Sequence, residues 1–155
     1  ARLLVRVGDR EVRRYRGLLL LKEAGTDSHD VQSFRWQGED EIGVPGWGGA
    51  LHFTAVVDAE GFDPAWLREA VLEVRPRGGG ERFKPHPTRP SKTLKRLFQD
   101  AGVPEFERGR LPLLWRKGEL IYVAGLGADV RMTDRDGERI VVEWQPDAGL
   151  IDRNP

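Results

Sequence analysis

Eight basic residues, Arg75, Arg77, Arg82, Lys84, Arg89, Lys92, Lys95 and Arg96, crowd one short stretch of this sequence, and the only acid among them is Glu81. The chain as a whole is neutral, with 25 Lys+Arg against 25 Asp+Glu, so this cationic stretch is set on an otherwise acidic body. A solvated surface normally interleaves acids with its bases. Their near absence here points to a polyanionic partner. Gly78-Gly79-Gly80 lies inside the same stretch and permits close approach of the backbone to a ligand. It is not a nucleotide loop, because neither G-x-x-x-x-G-K-[ST] nor G-x-G-x-x-G occurs. Arg75 and Arg77 alternate with Val74 and Pro76, which lets both project from one face of a strand end.

Residues for bond-making chemistry are scarce. The chain has no cysteine, which excludes disulfides, Cys-based zinc sites and thiol nucleophiles and fits a cytoplasmic location. His29, His52 and His86 are widely spaced and show no metal-ligand pattern. Ser28-His29-Asp30 are neighbours in sequence, whereas the members of a triad meet through the fold. Asp134-Arg135-Asp136-Gly137-Glu138 is too short for a calcium loop and reads as a hairpin turn. Glu39-Asp40-Glu41 reads as an acidic loop, and the five tryptophans as core. The expectation is therefore no catalytic residue, no metal and no cofactor within this chain.

The elements that must position the cations can be read from the pattern. Ser91 is a candidate N-cap and Gly102 a candidate residue just past a helix end, and between them Leu94, Leu97, Phe98 and Ala101 recur on one helical face. That predicts a helix over about 92–101 with Lys92, Lys95, Arg96 and Gln99 opposite the apolar side. Cations in its first turn oppose the helix dipole, so Lys92 and Lys95 together with the free amides there would make an anion site. Asp63-Pro64 signals a short helical turn, and 104–109 a second one. Strands are expected at Leu3–Val7, Val12–Tyr15, Leu18–Lys22, Ala50–Val57, Val71–Arg75, Leu111–Trp115, Leu120–Val123, Val130–Thr133 and Ile140–Trp144, the last two as a hairpin around Asp136-Gly137. Pro85, Pro87 and Pro90 exclude a central helix or strand between them. The result is an α+β chain with mostly antiparallel strands, one clear helix and one or two short helical turns. No apolar run approaches the length of a membrane span, and no signal-peptide pattern is present. The start at Ala1 rather than Met is that expected of a piece of a longer protein.

The central stretch also resembles a known family. Arg75-Pro76-Arg77-Gly78-Gly79-Gly80-Glu81-Arg82-Phe83-Lys84-Pro85, followed by Ser91-Lys92-Thr93-Leu94-Lys95-Arg96-Leu97-Phe98-Gln99-Asp100-Ala101-Gly102-Val103-Pro104, is similar to the C-terminal domain of bacterial tRNA(Ile)-lysidine synthetase. Glu107-Arg108-Gly109-Arg110-Leu111-Pro112-Leu113-Leu114 and Val123-Ala124-Gly125-Leu126-Gly127 continue the likeness, which covers Val74 to Ala128. One extra glycine before Glu81 and the presence of His86 depart from the family pattern. The resemblance implies a parent ligase that uses ATP to adenylate the wobble cytidine of an isoleucine tRNA and then joins lysine to it. That chemistry belongs to an N-terminal PP-loop domain with an SGG-x-DS motif, which this sequence lacks. The chain would be the non-catalytic end that grips the tRNA acceptor stem, with residues 1–70 a preceding strand-rich region and 71–155 the recognition domain.

Residue chemistry and resemblance converge on one expected surface: Arg75, Arg77, Arg82, Lys92, Lys95 and Arg96 facing tRNA, with Arg108 and Arg110 as extensions. Arg135 and Arg139 are expected to lie away from it. The expected partners are the isoleucine tRNA and the N-terminal catalytic domain of the same polypeptide, with no membrane. The competing reading is a protein-interaction module whose basic face docks on an acidic partner.

Overall fold

Three antiparallel sheets, the smallest a two-stranded ladder, and three short α-helices are the main regular elements of residues 31–147, the part of the chain that the computed structural model describes. The strands expected before residue 31 lie outside it. The larger sheet runs β1 (Gln32–Phe34), β4 (Leu72–Arg75), β7 (Leu113–Arg116), β8 (Glu119–Val123), β9 (Gly127–Ala128) in spatial order. The second sheet is β10 (Glu138–Pro146), β3 (Gly49–Val57), β2 (Glu41–Val44), and a two-stranded ladder joins β5 (Arg82–Phe83) to β6 (Lys92–Thr93). α1 (Pro64–Arg68), α2 (Leu94–Asp100) and α3 (Glu105–Arg108) complete it. The α+β class, with mostly antiparallel pairing, is as the pattern predicts. Residues on both sides of position 70 contribute to each of the two larger sheets, through the β1–β4 and β3–β10 pairings.

Alternation builds the larger sheet. Leu72 and Val74 turn inward from β4 while Glu73 and Arg75 turn outward half-buried. On β8 the run Leu120–Val123 is buried throughout, as befits a strand covered on both faces. Two groups of buried side chains result. One gathers Trp36, Leu51, Phe53, Phe62, Leu67, Leu72, Leu114 and Ile121. The other gathers Phe83, Leu94, Leu97, Phe98, Leu113, Leu120 and Val123, and it fixes α2 against β7 and β8.

Local chemistry sets the helix ends. Asp63 caps α1 by accepting from the Ala65 amide at 3.0 Å, with Pro64 next to it. α2 begins later than Ser91 suggests. Lys92 and Thr93 are held extended opposite Phe83 and Arg82, so Thr93 becomes the cap and its Oγ1 accepts from the Arg96 amide. Leu94, Leu97 and Phe98 are buried as the periodicity predicts, but Ala101 lies past the helix and is exposed. Gly102 takes φ of +75°, the left-handed backbone that ends the helix.

The terminal hairpin does not form. Val130–Met132 is a 3-10 turn and β10 lies beside β3 instead. The reason is Asp129. Its buried carboxylate accepts from the amides of Lys84 and Arg131 and from the Arg131 guanidinium, all between 2.7 and 3.0 Å, which curls the chain at 129–131 and ties it to the end of β5. Burial opposes the charge, but these hydrogen bonds and the Arg131 charge prevail and hold the carboxyl below its usual range. A depressed carboxyl stabilises the fold above the unfolded-state pKa, about 4, and that contribution is lost as the pH falls through the folded value. Asp129→Asn should therefore lower unfolding free energy by about 2–4 kcal/mol at neutral pH. In denaturant titrations at stepped pH the gap to the parent chain should shrink below about pH 4. A gap independent of pH would show that the charge at Asp129 is not what matters.

Candidate nucleic-acid interface

The β5–β6 ladder and the start of α2 enclose one side of a cavity of about 290 Å³, lined by Arg77, Gly78, Gly79, Gly80, Glu81, Thr93, Leu94 and Lys95. Two of the expected cations therefore open on the same groove. Arg77 leaves the end of β4 and lays its guanidinium over the Phe98 ring, 5.8 Å from the centroid, so the buried helix face orients it. Lys95 is exposed, and among the described residues no protein group pairs with its ammonium.

The other cations are engaged to different degrees. Arg82 is exposed and donates from Nη2 to the Ser91 carbonyl at 2.9 Å, which places it across the ladder from Thr93. Lys92 belongs to β6 rather than to the helix. Its Nζ and the Nε of Arg96 both reach Asp100, at 3.2 and 3.0 Å. Hydrogen bonds from Lys92 and Arg96 hold the Asp100 carboxyl below its usual range. Asp100 is not among the residues expected at the site, although the four-residue step from Arg96 to Asp100 is the spacing at which helix ion pairs meet. Arg110 is exposed on the stretch after α3.

Two expected members point elsewhere. Arg75 lies half-buried against Glu73 and over the Trp115 ring, on a second cavity of about 350 Å³ that Arg35, Glu69 and Lys117 also line. Arg108 is buried and works internally. Its Nε donates to the Val103 carbonyl at 2.9 Å and its Nη1 to Glu105, bracing α3 against the preceding turn. The three-residue step from Glu105 to Arg108 was the available signal. Arg139 is also largely enclosed, with Nη1 3.0 Å from Asp134, whereas Arg135 is exposed.

The helix start is not the anion site that its cations suggest. The Leu94 amide is taken by the Glu81 carbonyl at 3.0 Å and the Arg96 amide by Thr93, so these donors face protein rather than solvent. The glycine turn instead aims two amides at a single side-chain anion. Gly79 and Gly80 adopt φ of +108° and +81°, and the amides of Gly78 and Gly79 converge on one acceptor, the Glu81 carboxylate, at 2.5 and 2.9 Å. His52 is half-buried beside Glu41, His86 is exposed, and among the described residues no group of three metal-ligating side chains comes together. No described helix is long and apolar enough to cross a membrane.

Fold and groove together define an α+β domain that presents a cation-lined cleft built on a glycine turn, two strand ends and one short helix. Residues 72–144 match the family described as the TilS substrate C-terminal domain. The tRNA(Ile)-lysidine synthase of Nitrosomonas europaea is 36% identical over 137 residues, covering 88% of this chain and 30% of that protein. The tRNA(Ile)-lysidine synthase of Ralstonia nicotianae is 38% identical over 154 residues, covering 94% of this chain and 33% of that protein. A solved structure described as the crystal structure of the TILS C-terminal domain superposes with a TM-score of 0.57 at 22% identity, over 77% of this chain and all of that one. It supports the fold. The chain belongs to the tRNA(Ile)-lysidine synthase family and carries its C-terminal domain. It spans about a third of the length of these curated relatives.

Proposed function

We propose that this domain is the tRNA-gripping end of a lysidine-forming ligase, with recognition carried within residues 71–155. The observation that carries the reading is the convergence of Arg77 and Lys95 on the glycine-turn groove, with Arg82 and Arg96 exposed on the elements that build it. The relatives are named for a tRNA(Ile) reaction, and the groove offers the chemistry that an RNA stem demands. Side chains cannot read the deep major groove of A-form RNA, so a stem is recognised through phosphates and 2′-hydroxyls. Rigidly placed Arg and Lys with backbone amides beside them suit that task. The acceptor stem of the isoleucine tRNA is the segment gripped, in the cytoplasm where tRNA is modified. A PP-loop domain of the parent polypeptide supplies ATP-dependent adenylation of the wobble cytidine and its joining to lysine, and this domain contributes no catalytic residue.

The direct test is binding of the full chain to the isoleucine tRNA and to a minihelix carrying only its acceptor stem. Both should bind with affinities within a few-fold of each other. Failure of the chain to bind either RNA at about 0.1 M salt, where roughly 10 Å of electrostatic reach remains, would overturn the reading.

A further inference from the structure

We propose that the Glu81 side chain is an internal stand-in for an RNA phosphate, occupying the amide cradle of Gly78 and Gly79 until a backbone phosphate displaces it. This deepens the tRNA-gripping reading and rests on it. Both oxygens of the carboxylate are in use, Oε2 accepting from the Gly78 amide at 2.5 Å and Oε1 from the Gly79 amide at 2.9 Å. Two converging backbone donors gripping two oxygens of one anion is the arrangement that also holds a phosphate. Around the carboxylate lies the 290 Å³ cavity, with Arg77 and Lys95 on its wall. Neither cation pairs with Glu81, and Lys95 has no protein partner at all among the described residues. The site thus holds more positive charge and more donors than its one resident acid uses.

Only the side chain needs to move for exchange. The backbone of Glu81 is anchored where its carbonyl accepts from the Leu94 amide at 3.0 Å, and the next residue, Arg82, is in register with Thr93. The carboxylate can swing outward while the cradle keeps its shape. Beyond the glycines the space is open: an added Cβ at Gly79 or Gly80 would meet nothing within 4 Å, so a bulky polymer can reach the cradle. A carboxylate held there has two consequences. It keeps the empty cradle satisfied, and it raises the requirement for entry, because a lone anion must compete with a tethered one whereas a polyanion brings neighbouring contacts to Arg82 and Lys95. The expected behaviour is selectivity for RNA over free phosphate.

The test compares the parent chain with Glu81→Gln, which keeps the side chain's length and one acceptor but removes the charge. Binding of the isoleucine tRNA should tighten roughly three- to tenfold, with thermal stability little changed. In nitrogen-15 spectra, titration with inorganic phosphate should move the Gly78 and Gly79 amide signals in the Gln variant at concentrations that leave them unmoved in the parent. Unchanged or weakened tRNA binding in the Gln variant, with parent binding intact, would overturn the proposal and make Glu81 a brace for the loop. If neither form binds tRNA, the functional reading falls, and the phosphate titration still decides the cradle: unmoved glycine amides in the Gln variant would overturn it.

Discussion

Replacing Phe98 with alanine should lower the unfolding free energy by about 3–5 kcal/mol, the largest loss expected from any single side chain near the groove. Phe98 is fully buried between α2 and the β7–β8 part of the larger sheet, in contact with the group that includes Phe83, Leu113 and Val123. The removed ring leaves a void that these neighbours, fixed in a sheet, can only partly close. The ring's Cε1 lies close to Gly125, and Leu111 packs against the same group, so the substitution also loosens the segments that follow α3 and β8. A second effect follows from the other side of the ring, where Arg77 stacks. Without that surface the guanidinium loses its fixed direction, and tRNA affinity should fall even at temperatures where the variant remains folded. Denaturant titration measures the first effect. A loss below about 1 kcal/mol would mean that α2 packs through a different face.

The largest effect on binding should come from reversing Arg77 and Lys95 together to glutamate. Each reversal removes a cation from the groove wall and sets a like charge against the incoming phosphate, next to the carboxylate already present at Glu81. Loss of two phosphate contacts together with the added repulsion should weaken tRNA binding by on the order of 30- to 100-fold. Stability should change by about 1 kcal/mol at most, from the lost stacking of Arg77 on Phe98. The matched control is reversal of Arg68 and Arg135, both exposed and neither lining the groove; Arg68 lies over the Trp36 ring instead. Arg139 is unsuitable as a control because its side chain is largely enclosed beside Asp134. Equal weakening by both pairs would mean that binding follows net charge rather than a site.

The parts of this architecture that were legible in the sequence are those whose causes are local. The apolar spacing of Leu94, Leu97 and Phe98 marks α2, Asp63-Pro64 marks α1, and Gly102 marks a helix end, because caps and periodicity act within a few residues. The start of α2 was misplaced because Lys92 and Thr93 are recruited to a ladder with Arg82 and Phe83, a pairing across the proline-rich loop that no local signal records. The same holds for the end of the chain: Asp129 reaches Lys84, 45 residues away, and its buried ionic cluster overrides a hairpin pattern that was locally sound.

The candidate site shows a similar division. Charge density located the basic stretch, but charge alone does not distinguish a cation in a groove from one spent on the fold. Arg108 is consumed by Val103 and Glu105, and Lys92 and Arg96 share Asp100. Glu81 was visible only as the one acid in the window. Its position two and three residues after the glycines is what lets its carboxylate turn back onto their amides, and that becomes apparent once Gly79 and Gly80 are seen at positive φ. Tyr122 illustrates a role with no sequence signal. Burial pushes its hydroxyl up to about 12, against the Trp144 amide bond that favours the charged form, and so keeps it neutral as a brace that accepts from that amide at 2.8 Å.

If the groove between the glycine turn and α2 holds RNA phosphates, the salt dependence of tRNA binding must report them. Affinity should be measured across a series of salt concentrations for the parent chain, the Arg77/Lys95 double reversal and the Arg68/Arg135 double reversal. Each phosphate contact releases condensed counterions and contributes slightly less than one unit to the slope of log affinity against log salt. The expected result is a steep slope for the parent chain, a slope shallower by about two units for Arg77/Lys95, and one near the parent's for Arg68/Arg135. A parent slope that survives the Arg77/Lys95 reversal unchanged would contradict it, because the phosphates would then be held somewhere else.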